Sequence, residues 1–320
     1  MITIFSSELD HSTSKVIEWI DRLTDMKVVR INYDRNDDVV FSGLISNDYP
    51  NRLVGKNANE IKSIWFRKNL NFSLEKTDTN DSSLKTHLSE ENMAFNQGLA
   101  SLAELSDCKV LGTSESEFSL VVNKVSALLK AKKCGFLIPQ TLVTNDFEEL
   151  ESFVNKYENV IIKAISEPIF IRKGSERFTL YTAKLSRDDV KFFEGVSSPV
   201  LVQAEIQKSF ELRIFYLNGI CYSGAIFSQF HAKSALDLRN HDSKFKPRII
   251  PYKTSEALTE RINSFMRNYK LNTGSLDLII TPLNEEYFLE VNPLGQFDML
   301  SVACNYPIEK EIAKFLTDES

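Results

Sequence analysis

Several large classes of protein are set aside by what this sequence has little of. Its four cysteines, Cys108, Cys134, Cys221 and Cys304, are scattered and form no CxxC pair. That speaks against a zinc ribbon or a disulfide framework and leaves reduced thiols in apolar surroundings. The four histidines, His11, His87, His231 and His241, show no metal-ligand spacing. Basic residues do not outnumber acidic ones, 38 against 44 for a net charge of −6, so nothing marks nucleic acid as a partner. No apolar run exceeds strand length, and Met1-Ile2-Thr3-Ile4-Phe5 lacks the basic flank and cleavage site of a signal peptide; a cytoplasmic protein with no membrane segment is expected. The turn Lys173-Gly174-Ser175 lacks the glycine spacing of a P-loop, and no internal repeat is present.

Apolar residues make up 42% of the 320-residue chain and charged residues 26%, a soluble balance with material for two or three subdomains. Ile2 to Phe5 reads as a strand. Ser12-Thr13-Ser14 offers N-cap oxygens to a helix with Val16, Ile17, Ile20 and Leu23 at helical spacing, and Val28 to Tyr33 returns as a strand, a β-α-β start. Short strand candidates follow between 39 and 45. In Ile64-Trp65-Phe66-Arg67-Lys68 an aromatic pair runs into two cations, either a core strand with a solvated end or a binding contact. The polar stretch 69–84 reads as a loop, 86–105 as a helix, and Val110-Leu111-Gly112 closes a first unit, 1–113.

A second unit, 114–199, opens with a helix from about Glu117 to Cys134 carrying Lys124, with Gly135 as its stop. Asp146 caps a further helix. Lys163 ends the apolar strand Asn159 to Ala164, where a lysine either snorkels to water or meets an anion in a cleft. Two strands, 169–172 and 178–182, flank the basic turn. The third unit, 200–320, starts with the extended Val200 to Ile206. Glu211 and Arg213 then share one face of a strand, and Asn218-Gly219 turns it back into Ile220 to Phe227. A polar segment follows with Asp237, Arg239 and Arg248, then a helix at 255–269 and a final helix after Pro307.

Chemistry concentrates in one hairpin of the third unit. Leu276-Asp277-Leu278-Ile279-Ile280-Thr281 turns through Pro282 into Tyr287-Phe288-Leu289-Glu290-Val291-Asn292-Pro293. Strict alternation puts Tyr287, Leu289 and Val291 on one face and Phe288, Glu290 and Asn292 on the other. Closure then brings Asp277 opposite residues 290–292. Three oxygen-bearing side chains at a strand end are either a solvated hairpin face or the ligand set of a hard cation such as Mg²⁺.

The order Lys124, Lys163, Gln203-Ala204-Glu205-Ile206, Glu211-Leu212-Arg213, Arg248, Asp277 and Glu290-Val291-Asn292 resembles an ATP-grasp carboxylate ligase across essentially the whole chain. Ser12-Thr13 before Val16-Ile17-Glu18-Trp19, the stretch Ile64 to Lys68, and Glu211 to Tyr216 through Ile226-Phe227-Ser228-Gln229 are similar to the graspetide synthetases of grasp-with-spasm systems. These close side-chain ester or amide rings in peptides. The resemblance implies an α/β (α+β) three-subdomain ATP-grasp fold, with the nucleotide between the central and C-terminal domains.

It also implies roles. Lys124 and Lys163 would contact ATP phosphates, Gln203, Ala204, Glu205 and Ile206 would hold adenine, and Glu211 the ribose. Asp277, Glu290 and Asn292 would bind Mg²⁺, and Arg213 and Arg248 would neutralise charge on the transferred phosphoryl group. Asp237 and Arg239 resemble the DxR pair used towards the core peptide. The implied partner is a precursor peptide with a leader and an acidic, Thr- or Ser-containing core, and a homodimer is a further expectation. Two features depart from the family: Ala204 stands where relatives often carry Glu, and the turn at Gly174 is poor in glycine. Left open beside this are a carboxylate–amine ligase on a small molecule or protein tail, and a non-catalytic nucleotide-binding or peptide-binding scaffold.

Overall fold

The structure, a computed structural model, describes residues 1–32, 34, 52–53, 56–57, 60–68, 81–104, 108–112, 123–165, 170–173, 176–179, 181–229, 236 and 247–318. The strand candidates at 39–45, most of the polar stretch from 69, the turn at 174–175 and the pair Asp237 and Arg239 lie outside these residues.

The first sheet is parallel, in the order β2 (Val28–Asn32), β1 (Ile2–Ser6), β5 (Ser63–Phe66), β6 (Lys109–Leu111). Strand alternation sends Ile2, Ile4 and Trp65 to one face and Phe5, Ile64 and Phe66 to the other. The second face packs on α2 (Ser82–Glu104) through Leu99 and Ala103. The first is covered by α1 (His11–Leu23) through Val16 and Ile20. The cap of α1 is Asp10 rather than the expected Ser12-Thr13-Ser14: its carboxylate accepts from the Thr13 N–H at 3.0 Å, while Ser12 and Thr13 are buried inside the helix. Two-residue strands β3 (Arg52–Leu53) and β4 (Lys56–Asn57) pair apart from this sheet.

The second sheet is antiparallel, in the order β11 (Ala183–Lys184), β8 (Val160–Lys163), β12 (Val200–Ala204), β7 (Thr141–Thr144). One face packs on α4 (Phe147–Lys156), capped by Asp146 as expected, and on a 3₁₀ turn at Val190–Phe193. A hairpin of β9 (Phe170–Lys173) and β10 (Glu176–Thr179) stands apart from it. The segment 114–199 does not complete this sheet by itself, because β12 lies between β8 and β7.

The third sheet is antiparallel, in the order β15 (Arg248–Tyr252), β14 (Ile220–Phe227), β13 (Phe210–Leu217), β16 (Thr273–Ile280), β17 (Glu286–Asn292). Asn218 and Gly219, both at positive φ, make the expected hairpin turn. One face carries Leu212, Ile214, Leu276, Leu278, Phe288 and Val291 onto α5 (Glu256–Asn268) and onto α3 (Lys124–Lys133), which the sequence places in the second unit.

The other face joins the first sheet. Phe215 and Leu217 share one core with Ile2, Ile4, Trp65 and Leu111, together with α6 (Asp298–Cys304) and α7 (Ile308–Thr317). Ser63 Oγ donates to the Leu316 carbonyl at 2.7 Å, so the last helix seals the first sheet instead of staying with the third. Helix α6, between the β17 turn and Pro307, has no counterpart in the sequence reading. Among the described residues, no helix is long and apolar enough to cross a membrane.

Candidate functional site

The hairpin β16–β17 sets the geometry. Asp277 pairs directly with Glu290, and Ser275 with Asn292. The register slips between Asp277 and Leu278, because Leu278 pairs with Phe288 and leaves Leu289 as the extra residue of a bulge. Strict alternation is therefore broken. Phe288 and Val291, expected on opposite faces, both enter the core shared with α5. The bulge leaves Glu290 and Asn292 together on the face of Asp277. Register extends that face across β13, where Arg213 pairs with Asp277 and Glu211 with Ile279. Glu211, Arg213, Asp277, Glu290 and Asn292 thus line one side of three adjacent strands.

Charges on this face are matched. Arg213 Nη1 donates to Asp277 Oδ2 at 2.6 Å. Lys124, buried at the N-terminus of α3, places Nζ 3.9 Å from Glu290 Oε2, and its backbone N–H reaches the Ile165 carbonyl beyond β8 at 3.3 Å. Glu211 pairs with Lys208 and accepts from Ser228 Oγ at 2.7 Å. Burial nevertheless pushes the Glu211 carboxyl above the usual carboxylate range, against the lowering pull of Lys208 and Ser228.

Asn292 Oδ1 accepts from the Leu294 N–H at 2.9 Å, which starts the turn that follows. Two carboxylates and a carboxamide oxygen at adjacent strand positions are the donor chemistry of a hard divalent cation, with Arg213 and Lys124 as the present counter-charges. Among the described residues no group of three or more His, Cys, Asp or Glu comes together as a cation cage.

The other predicted residues are placed as follows. Lys163 ends β8 and shares a face with Leu201 and Gln203, turned away from α4. Gln203 is buried, and its Nε2 donates to Thr141 Oγ1 at 2.8 Å. The N–H groups of Ala204 and Glu205 are engaged by the carbonyls of Gln140 and Asn159, at 3.0 and 2.9 Å, and Glu205 pairs with Lys184 at 3.0 Å.

Arg248 does not join Arg213. It is exposed at the start of the edge strand and pairs with Phe227, whose ring packs on Phe210 on the side opposite to Arg213. Arg67 is not the solvated strand end that the sequence allows: it is 2% exposed, against Asp10 and the turn after β17. Burial lowers its pKa, with Asp10 and Asp298 acting in the opposite direction. Lys208 and Asp10, and the contact of Ser228 with Glu211, have no place in the sequence reading. Their signal was their spacing from Glu211 and from the start of α1.

Comparison with known proteins follows the geometry. TM-score 0.82 relates the chain to a RiPP-associated ATP-grasp ligase of Chryseobacterium gregarium, in complex with ADP and a leader and core peptide, at 25% identity over 98% of this chain and 94% of that one. The chain has the ATP-grasp ligase fold. The macrocyclase MdnC of Microcystis aeruginosa, bound to its precursor peptide MdnA, shares that fold at TM-score 0.82, 22% identity and full coverage of both chains. So does the ATP-grasp ligase PsnB, complexed with minimal precursor, Mg and ADP, at TM-score 0.76, 16% identity and coverage of 98% and 96%. No family model matches the sequence. An uncharacterized protein of Methanocaldococcus jannaschii is 24% identical over 200 residues, 61% of this chain, and the match spans about half of that protein, 47%. The ATP-grasp resemblance read from the sequence therefore holds for the fold, from the first sheet to the last helix.

Proposed function

We propose that this chain is an ATP-dependent peptide ligase that activates Asp or Glu side chains of a ribosomally made precursor and closes side-chain macrocycles. The observation that carries this reading is the shared face of Glu211, Arg213, Asp277, Glu290 and Asn292, with Lys124 at its rim. The whole-chain likeness to ligases solved with ADP, Mg and precursor peptides supports it.

In this reading Asp277, Glu290 and Asn292 hold Mg²⁺, which neutralises charge on the phosphate oxygens when bound. Lys124 and Lys163 grip ATP phosphates, and Arg213 is freed from Asp277 to neutralise the transferred group. Arg248, on the opposite face, has no part in that step. The adenine is read by backbone groups of Gln203, Ala204, Glu205 and Ile206 that remain after Gln140 and Asn159 have engaged Ala204 and Glu205. Glu211 takes the ribose hydroxyls.

The substrate carboxylate accepts the terminal phosphoryl group and becomes an acyl phosphate. A Thr or Ser hydroxyl, or a Lys amine, of the same peptide then displaces phosphate to give ester or amide. Asp237 and Arg239 orient the acidic side chain, and a leader segment of the precursor docks near the first and central units. A homodimer is part of the proposal.

The test is mass spectrometry of an acidic, Thr-rich peptide encoded beside the gene, incubated with the protein, ATP and Mg²⁺. Loss of one water per ring is expected, with methanolysis opening esters and sparing amides. ADP release with no change in peptide mass would overturn the macrocyclase reading in favour of a ligase acting on another substrate.

A further inference from the structure

Arg67 is the one buried arginine among the described residues, and its two terminal nitrogens are spent on the turn that follows the candidate ligand strand. It leaves the C-terminal end of β5 in the first sheet and crosses into the third. Its Nη1 donates to the carbonyls of Leu294 and Gly295 at 2.8 and 3.4 Å, and its Nη2 to Gln296 Oε1 at 2.7 Å. Asp10 Oδ2 lies 3.2 Å from Nε, and the guanidinium sits 5.3 Å from the centre of the Phe297 ring. A group that charge-matched and that enclosed is not an anion receptor.

Two short relays lead from this guanidinium back to the site. The Leu294 peptide unit follows on the bond by which the Leu294 N–H holds Asn292 Oδ1 at 2.9 Å, and the Gly295 N–H holds the Asn292 carbonyl at 3.0 Å. Gln296 gives its side chain to Arg67 and its carbonyl to Arg213 Nη2 and Ser275 Oγ, each at 3.4 Å. Arg213 in turn holds Asp277. One planar fork in the first sheet therefore fixes both ends of the candidate ligand set, a geometry that a lysine, with a single point of donation, does not reproduce.

We propose that Arg67 is a positioning residue of the site, setting Asn292 and Arg213 from behind through the turn 293–297. This rests on the reading of Asp277, Glu290 and Asn292 as the Mg²⁺ site of an ATP-dependent ligase.

Two variants test it. Arg67→Lys keeps the charge opposite Asp10 and gives up the fork, and Gln296→Ala removes one acceptor at an exposed position. Amide hydrogen exchange at Leu294 and Gly295 is measured without nucleotide, and ADP affinity by calorimetry with and without Mg²⁺. In Arg67→Lys, both exchange and MgADP dissociation are expected to rise about tenfold, the scale on which partners of metal ligands act. Gln296→Ala should shift both in the same direction by less, and affinity for metal-free ADP should stay at the wild-type value. Exchange and MgADP affinity at wild-type level in both variants would overturn the positioning role alone. Equal loss of ADP affinity with and without Mg²⁺ would overturn it too, as a general loosening of the fold. A wild-type protein whose ADP affinity does not respond to Mg²⁺ would overturn the functional reading and this proposal together.

Discussion

Among the described residues Glu211 is the carboxylate whose pKa burial raises, and that has a pH signature. Burial raises its pKa above the ordinary 4.5 despite Lys208 and Ser228. In the interval between the ordinary and the raised value the folded chain holds a proton that the unfolded chain releases. This contribution to stability is therefore present below the ordinary value and lost as pH rises through the raised one. Glu211→Gln should abolish that loss. Urea midpoints of wild type and variant, compared from about pH 4 to 7, should diverge as pH rises; a constant offset would refute the assignment.

The pair Asp277 and Glu290 gives a second prediction. Asp277→Asn with Glu290→Gln should abolish the cyclised product while peptide affinity, measured by fluorescence anisotropy, stays near wild type. Retained ring formation would count against the metal assignment. The types and order of these side chains were legible in the sequence, because carboxylates and a carboxamide stand out on apolar strands. Arg67 was not: two adjacent cations after a strand look alike whether they face water or a turn more than 200 residues away.

At the scale of elements, the turn 293–297 depends on the closeness of Gly295 to Ser275. A Cβ at 295 would lie 2.2 Å from Ser275 Oγ and 2.8 Å from its backbone nitrogen. The backbone atom cannot swing aside. Gly295→Ala should cost about 1–3 kcal/mol, the usual scale of overpacking, read as a lowered urea midpoint, and should weaken MgADP binding beyond what stability explains. An unchanged midpoint would show that the turn yields.

Elements were also where periodicity read well and then failed. The Asn218-Gly219 hairpin and the helices after Asp146 and Ser255 were visible because turn and cap chemistry is local. The bulge at Leu289 was not, since an inserted residue breaks alternation without changing composition. The cap of α1 was misplaced by two to four residues because Ser and Thr compete with Asp for that role.

For the whole molecule, the first and third sheets are one body. Ile2, Ile4, Trp65 and Leu111 share their core with Phe215, Leu217, Phe297 and Leu300, whereas Leu150, Val154, Val160 and Val202 form a separate core in the second. A fragment of residues 114–320 should therefore not fold natively. It should bind a hydrophobic dye and melt well below the whole chain; a melting midpoint equal to that of the whole chain would contradict the shared core. Nothing in the sequence order announces that arrangement, because local periodicity states which face of an element is apolar and not which partner covers it.

That the helix ending near Leu316 closes the first sheet has a bearing on how the chain is made. Ser63 leaves the ribosome 253 residues ahead of Leu316, so the part of this face that α1 leaves open waits for its second cover. The β-α-β unit stays incomplete until α7 is made, and newly synthesised chains should engage chaperones until that helix emerges.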